Sequence, residues 1–225
     1  MKYLHWDEKT LTDFSADTVA GMYGLGYLFT RLGKGVMQQT RSVRIRLNHF
    51  QTTSENRRIL KKTEGVELAA LELPIKNYDW PVGKMAKDFY DTKFGKGIMS
   101  AQKMKEILTE PDKSNFNLLL SFTSKTGEII GYAACRTAKG LLHYSYPFYD
   151  LKKSPHDMGL GMMVRAIDYA KSKGMDFVYI GSLQRPADIY KLQFEGLEWF
   201  DGKNWKKDIE EAKSVLRSSA KNNEK

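Results

Sequence analysis

The chain has 225 residues, 36 Lys+Arg against 27 Asp+Glu, and a formal net charge of +9. With 41% hydrophobic and 12% aromatic residues it carries enough apolar side chains for a real core, which excludes wholesale disorder and leaves room for one or two domains. Its single cysteine, Cys135, excludes an internal disulfide framework and a multi-cysteine zinc or iron–sulfur site. Apolar runs of about ten residues, broken by polar ones, fall short of a membrane span. The first ten residues, aromatic and carrying Asp7 and Glu8, are unlike a signal peptide, so the expectation is a cytoplasmic protein with no membrane partner, no metal and one buried thiol.

In chain order, residues 15 to 32 read as a helix weakened by Gly21, Gly24 and Gly26. The charge excess follows. Between Arg31 and Lys62 there are nine basic residues and one acid, Glu55, so this stretch alone supplies +8. Within it, Val43, Ile45 and Leu47 alternate with Ser42, Arg44 and Arg46, the period of a strand with one buried face and its arginines sharing the other. T-T-S-E-N-R-R-I-L-K-K then opens on capping residues and continues as a short basic helix carrying Arg57, Arg58 and Lys61. Two adjoining cationic elements suit a phosphate backbone, although charge runs also serve as plain solvated faces.

A second strand, G-V-E-L-A-A-L-E-L, ends at Pro74, and the stretch from Pro74 to Pro81 reads as a loop between lobes, giving domains of 1–75 and 76–225. Two helices follow, the second capped by Ser100. From Asn115 three strands separated by K-T-G-E and K-G turns form an antiparallel meander. A helix expected from Met162 to Lys171, a short apolar strand ending at Gly181, and a further helix entered through Pro186 complete an α+β order. The C-terminal segment from Lys206 reads as a surface helix fraying into the polar tail S-S-A-K-N-N-E-K.

That order resembles the core of the GNAT acyltransferase fold, which carries Arg/Gln-x-x-Gly-x-Gly/Ala where this chain has His156 to Gly161. In that fold the loop's N–H groups hold the pyrophosphate of coenzyme A; the alternative for Gly159 and Gly161 is that they only permit a tight turn into the helix. His156 reads as a surface loop residue.

A more specific resemblance spans residues 20 to 205. Phe148, Tyr149, Asp150, Gly161, Tyr179, Gly181, Tyr190, Lys191, Phe194 and Glu198 fall in step with the Phe-Tyr-Asp-Pro, Leu-Gly, Tyr-Leu-Gly-Tyr and Tyr-Lys-x-x-Phe-x-Pro-x-Glu series of the arginyl-tRNA–protein transferases and their bacterial leucyl-transferring relatives. The segment from Thr40 to Thr63 resembles that family's Arg-x-x-x-Phe-x-x-Ser-x-x-x-Arg-Arg. The departures are the absent cysteine cluster before the Arg-rich strand, Gly196 where the family has proline, Asp188 for methionine, and Ser182 for the last tyrosine.

The resemblance implies a GNAT-like catalytic lobe behind a smaller Arg-rich N-terminal lobe. The implied reaction moves an amino acid, arginine or leucine, from a charged tRNA to the N-terminal α-amine of an acceptor protein with an acidic first residue, marking it for degradation. It needs no cofactor beyond the aminoacyl-tRNA donor and is expected of a monomer. Asp150 and Glu198 are then the candidate catalytic carboxylates, with Asp150 alternatively capping the Gly161 helix, while the backbone at Gly159 and Gly161 would stabilise the oxyanion. Tyr149, Tyr179, Ser182, Tyr190, Lys191 and Trp199 would bind substrate, the aromatic ones alternatively packing in the core. Arg44, Arg46, Arg57, Arg58 and Lys61 would bind tRNA. The rival expectations are a coenzyme A-dependent N-acetyltransferase using acetyl-CoA and a non-catalytic tRNA- or protein-binding relative.

Overall fold

The structure, a computed structural model, describes residues 3–221. It resolves into two compact units, each assembled from distant stretches of chain: residues 1–53, 138–143 and 170–225 in the first, and 54–137 with 144–169 in the second. The expected division at residue 75 does not describe these units. The Arg-rich strand finds its hydrogen-bonding neighbours in the C-terminal third, so backbone pairing ties the first fifty residues to the last fifty.

In the first unit, Ser15 caps helix α1 (Ala16–Gly24) by accepting from the Thr18 amide at 3.4 Å. The helix stops well before residue 32. Gly26 adopts φ +81°, where a Cβ would strike the Phe200 ring, and the chain turns into strand β2 (Tyr27–Phe29). Strands β1 (Asp7–Thr10) and β2 both pair antiparallel with β3 (Val36–Gln39), making a small three-stranded sheet.

Strand β4 (Ser42–Arg46) is the expected Arg-rich strand, and it is central rather than peripheral. On one side β10 (Leu197–Phe200) sets Glu198 opposite Arg44; on the other β9 (Phe177–Ser182) sets Tyr179 opposite Arg44 and Phe177 opposite Arg46. Val43 and Ile45 are fully buried on one face, and on the other Ser42 and Arg44 are buried too, with Arg46 part-exposed. β11 (Trp205–Lys206) pairs with the end of β10, and β9 runs parallel to the first residues of β8 (Leu141–Tyr149), giving the order β11-β10-β4-β9-β8 in this unit. The helix expected from Pro186 is a 3-10 helix, Pro186–Gln193. Helix α6 (Ile209–Lys221) forms as expected, and the rest of the expected fraying tail, from residue 222, lies outside the described residues.

The second unit contains the basic helix α2 (Ser54–Lys62), strand β5 (Glu67–Glu72), helices α3 (Trp80–Phe94) and α4 (Ala101–Thr109), strands β6 (Leu118–Thr123) and β7 (Ile129–Ala138), and most of helix α5 (Met158–Ser172). Ser100 caps α4 as the sequence indicates, its hydroxyl accepting from the Lys103 amide at 3.0 Å. Strand order here is β8-β7-β6-β5, with β5 antiparallel to β6 and β6 antiparallel to β7. Leu120, Phe122, Ala133, Cys135, Phe148, Val164 and Ile167 are buried, and Cys135 is the inert small hydrophobe expected, its thiol pushed up to about 12 by burial. The meander, the helix and the return of the chain to a strand parallel with β8 make this the α+β, GNAT-like arrangement that the pattern from Asn115 predicts.

Candidate functional site

The two sequence blocks that carry the transferase resemblance meet in the first unit. Arg44, from the N-terminal block, donates from Nε and Nη2 to Glu198 Oε2, both at 2.7 Å, and Arg46 donates from Nε to Oε1 at 3.0 Å. Burial pushes the Glu198 carboxyl up, but the hydrogen bonds from Arg46 and Arg44 outweigh it and hold the group below its usual value. The Arg44 guanidinium lies 3.9 Å from the Trp205 ring centroid and 4.3 Å from that of Phe177, with Nη1 also 3.4 Å from the Tyr179 hydroxyl. It is 8% exposed, so the expected solvent-facing pair of arginines is corrected: Arg44 turns inward because a carboxylate stands opposite it in register.

From this pair a line of buried polar groups continues. The Tyr179 ring packs edge-on against Tyr23 at 4.9 Å, and the Tyr23 hydroxyl is 2.9 Å from His143 Nδ1. Burial, helped by the nearby Lys191 charge, pushes the imidazole down to about 3, so His143 is neutral at physiological pH. Lys191 is buried as well. Its Nζ donates to the Ser182 carbonyl at 2.7 Å and lies 3.5 Å from Asp188 Oδ1. Desolvation depresses the Lys191 ammonium, partly offset by Asp188. Asp188, where the resembled family has methionine, accepts from the Gln184 and Arg185 amides at 2.9 Å each, so this departure supplies the counter-charge that a buried lysine requires.

Tyr190 is exposed beside Lys191, whereas Trp199 is buried with its Nε1 donating to the Asp208 carbonyl at 2.9 Å. Being adjacent to Glu198 on a strand, Trp199 points to the opposite face and serves packing. The aromatic wall of the arginine cluster is Trp205 and Phe177 instead. His143, Tyr23 and Trp205 were not singled out by their sequence contexts. The one available signal was a histidine inside the otherwise apolar run L-L-H-Y. At Gly196 the backbone adopts φ +73°, which the family's proline cannot reach, and a Cβ there would stand 2.7 Å from the Arg46 carbonyl oxygen.

The second unit holds the remaining candidates. Helix α5 begins at Met158, so Gly159 and Gly161 lie in its first turn instead of in a loop before it. The Gly161 N–H donates to the Asp157 carbonyl at 2.9 Å and is thereby committed. A Cβ on Gly161 would come within 2.7 Å of Thr63, which also holds Arg165 through Oγ1 at 2.8 Å. Gly161 therefore serves close packing, not an oxyanion. Asp150 does not cap this helix either: its Oδ1 accepts from the Lys152 and Lys153 amides at 2.8 and 3.1 Å, closing a tight turn. Tyr149 packs on Phe89 with centroids 4.8 Å apart. On α2, Arg57, Arg58 and Lys61 are exposed as expected, Arg58 being paired with Glu55. Lys62 pairs with Asp157 at 2.8 Å, and His156 is the exposed loop residue expected.

Among the described residues no group of three or more histidine, cysteine, aspartate or glutamate side chains is placed to hold a metal, and no helix is long and apolar enough to cross a membrane. No family model and no curated protein matches the sequence. Similar solved structures include L-PGS from Bacillus licheniformis, at 16% identity and TM-score 0.48 over 73% of this chain and 49% of that one. FemX is 12% identical, with TM-score 0.45 over 74% of this chain and 60% of that one. A GCN5-related N-acetyltransferase from Kribbella flavida is 16% identical, with TM-score 0.37 over 71% and 54%. The chain thus spans about half the length of L-PGS, and likenesses this distant assign no activity.

Proposed function

We propose that the protein is a tRNA-dependent aminoacyltransferase acting on the N-terminal amine of acceptor proteins, with arginine or leucine as the donor residue. The observation that carries this reading is the joining of Arg44 and Arg46 to Glu198: two sequence blocks that each resemble one family, 152 residues apart between Arg46 and Glu198, converge on one buried cluster. Unrelated matches have no reason to share a hydrogen bond.

The chemistry asks little of the side chains. A tRNA ester is already activated, and an amine of pKa about 7.7 to 8.0 has a neutral fraction on the order of a tenth at pH 7, so positioning supplies most of the acceleration. Glu198, with both oxygens engaged by arginines, acts as a positioning residue and is a poor general base. Ser182 and Lys191 shape the end of β9, and the exposed Tyr190 offers a face for stacking. Tyr149, a proposed substrate-binding residue, and Asp150, the other proposed catalytic carboxylate, belong to the second unit. On α2, Arg57, Arg58 and Lys61 are the proposed contacts to tRNA phosphates.

The coenzyme A reading loses support at α5. The Gly161 N–H of its first turn is already engaged, and the Asp157 carboxylate sits directly ahead of the helix, where a pyrophosphate would meet like charge. A thermal-shift comparison tests this choice. Charged tRNA is expected to raise the melting temperature and acetyl-CoA to leave it in place; stabilisation by acetyl-CoA alone would overturn the proposal.

A further inference from the structure

The arginine cluster is not neutral. Arg44 and Arg46 bring two positive charges to the single negative charge of Glu198, so one cation is left over in a site walled by Phe177, Trp205 and Tyr179. The excess has a location. Arg44 is buried with its Nε and Nη2 on Glu198 and its Nη1 facing Tyr179. Arg46 spends only its Nε on Glu198, and among the described residues its two terminal nitrogens have no hydrogen-bond partner. Its side chain is 34% exposed, and its guanidinium lies 4.8 Å from the Phe177 centroid. A guanidinium held at Nε by a carboxylate and on its face by a ring has lost most of its torsional freedom. It presents a fixed two-pronged edge of N–H groups, the geometry that takes up a planar carboxylate bidentately.

We propose that the Arg46 fork is the specificity-determining contact for the acceptor, binding the side-chain carboxylate of an acidic first residue. Arg44 and Glu198 are its positioning residues. The inference rests on the aminoacyltransferase reading for its acceptor, and it differs from the expectation that Arg46 contacts tRNA. One part-buried, ring-backed fork with a single unbalanced charge matches one carboxylate. Duplex phosphates are instead held by rows of exposed cations of the kind found on α2.

The test compares peptides beginning with Asp and with Asn, which differ only in the charge of the side chain. In transfer from charged tRNA, wild-type protein should prefer the Asp peptide in kcat/KM by about ten- to a hundredfold, the range expected for a charge-assisted pair. Arg46→Met should bring that ratio close to one, and Arg46→Lys, which keeps the charge without the fork, should restore part of it. Tm values for both variants show whether they fold. A wild-type ratio near one, or a ratio that survives in folded Arg46→Met while affinity for tRNA falls, would overturn the proposal. If no protein transfers any amino acid, the aminoacyltransferase reading fails, and fluorescence-polarisation binding of the same two peptides decides this one. A wild-type preference for Asp that is lost in Arg46→Met supports the carboxylate site, and equal binding of the two peptides overturns it.

Discussion

His143 illustrates what a single buried residue does to the molecule. Its imidazole is 2% exposed, bonded to Tyr23, and held neutral with a pKa of about 3 against an ordinary 6.5. Below pH 6.5 the unfolded chain takes up a proton that the folded chain refuses, so stability falls with pH from 6.5 down toward 3. Between pH 7 and pH 5 the loss from this residue amounts to about 2 kcal/mol. Chemical denaturation at the two pH values should show it, and His143→Gln should flatten the dependence; an unchanged slope in that variant would show that His143 is not its source. Glu198 acts later. Its carboxyl is held below 4.5 in the folded state, so the stability it adds is present above that value and is lost as the pH falls through its folded pKa. Neither environment was legible locally. Arg44 reads as a solvent-facing strand residue until its partner, 154 residues away, is known.

At the scale of elements, local pattern did better. Strand β4 was legible in the alternation from Ser42 to Leu47, the meander in its turn dipeptides, and α4 in Ser100, because each depends on neighbours within a few residues. The start of α5 was not, because two glycines close together look like a loop unless one knows that Thr63 packs against the second. That contact gives a prediction. Gly161→Ala drives a methyl into Thr63 and should cost about 1–3 kcal/mol. Gly159→Ala meets only the Tyr149 ring at an ordinary 3.5 Å and should be neutral or stabilise the helix by up to about 1 kcal/mol. Thermal unfolding of the two variants checks it, and equal destabilisation would restore the loop reading. Helix α2 makes the second element-scale prediction. Replacing Arg57 and Lys61 by Glu should weaken tRNA binding and lower the slope of log affinity against log salt by about 2, roughly one per phosphate contact. An unchanged slope would make α2 a plain solvated face.

Across the whole molecule, the charge excess divides in two ways. Part of it is solvated on α2, in the second unit, and part is buried in the first unit as a strand held by Glu198. The α+β class and the GNAT-like order were readable because each follows from the succession of strands and helices. The unit boundaries were not, because each unit is assembled from stretches that only tertiary pairing brings together. The central claim is that this assembly transfers an amino acid from tRNA. The measurement that tests it most directly is incorporation of labelled amino acids from total charged tRNA into peptides beginning with Asp, Glu or Ala, with ribonuclease-treated tRNA as the control. The account predicts ribonuclease-sensitive labelling of the peptide α-amine by arginine or leucine, strongest for the acidic starts. No labelling of any peptide, from protein that binds tRNA, would contradict it.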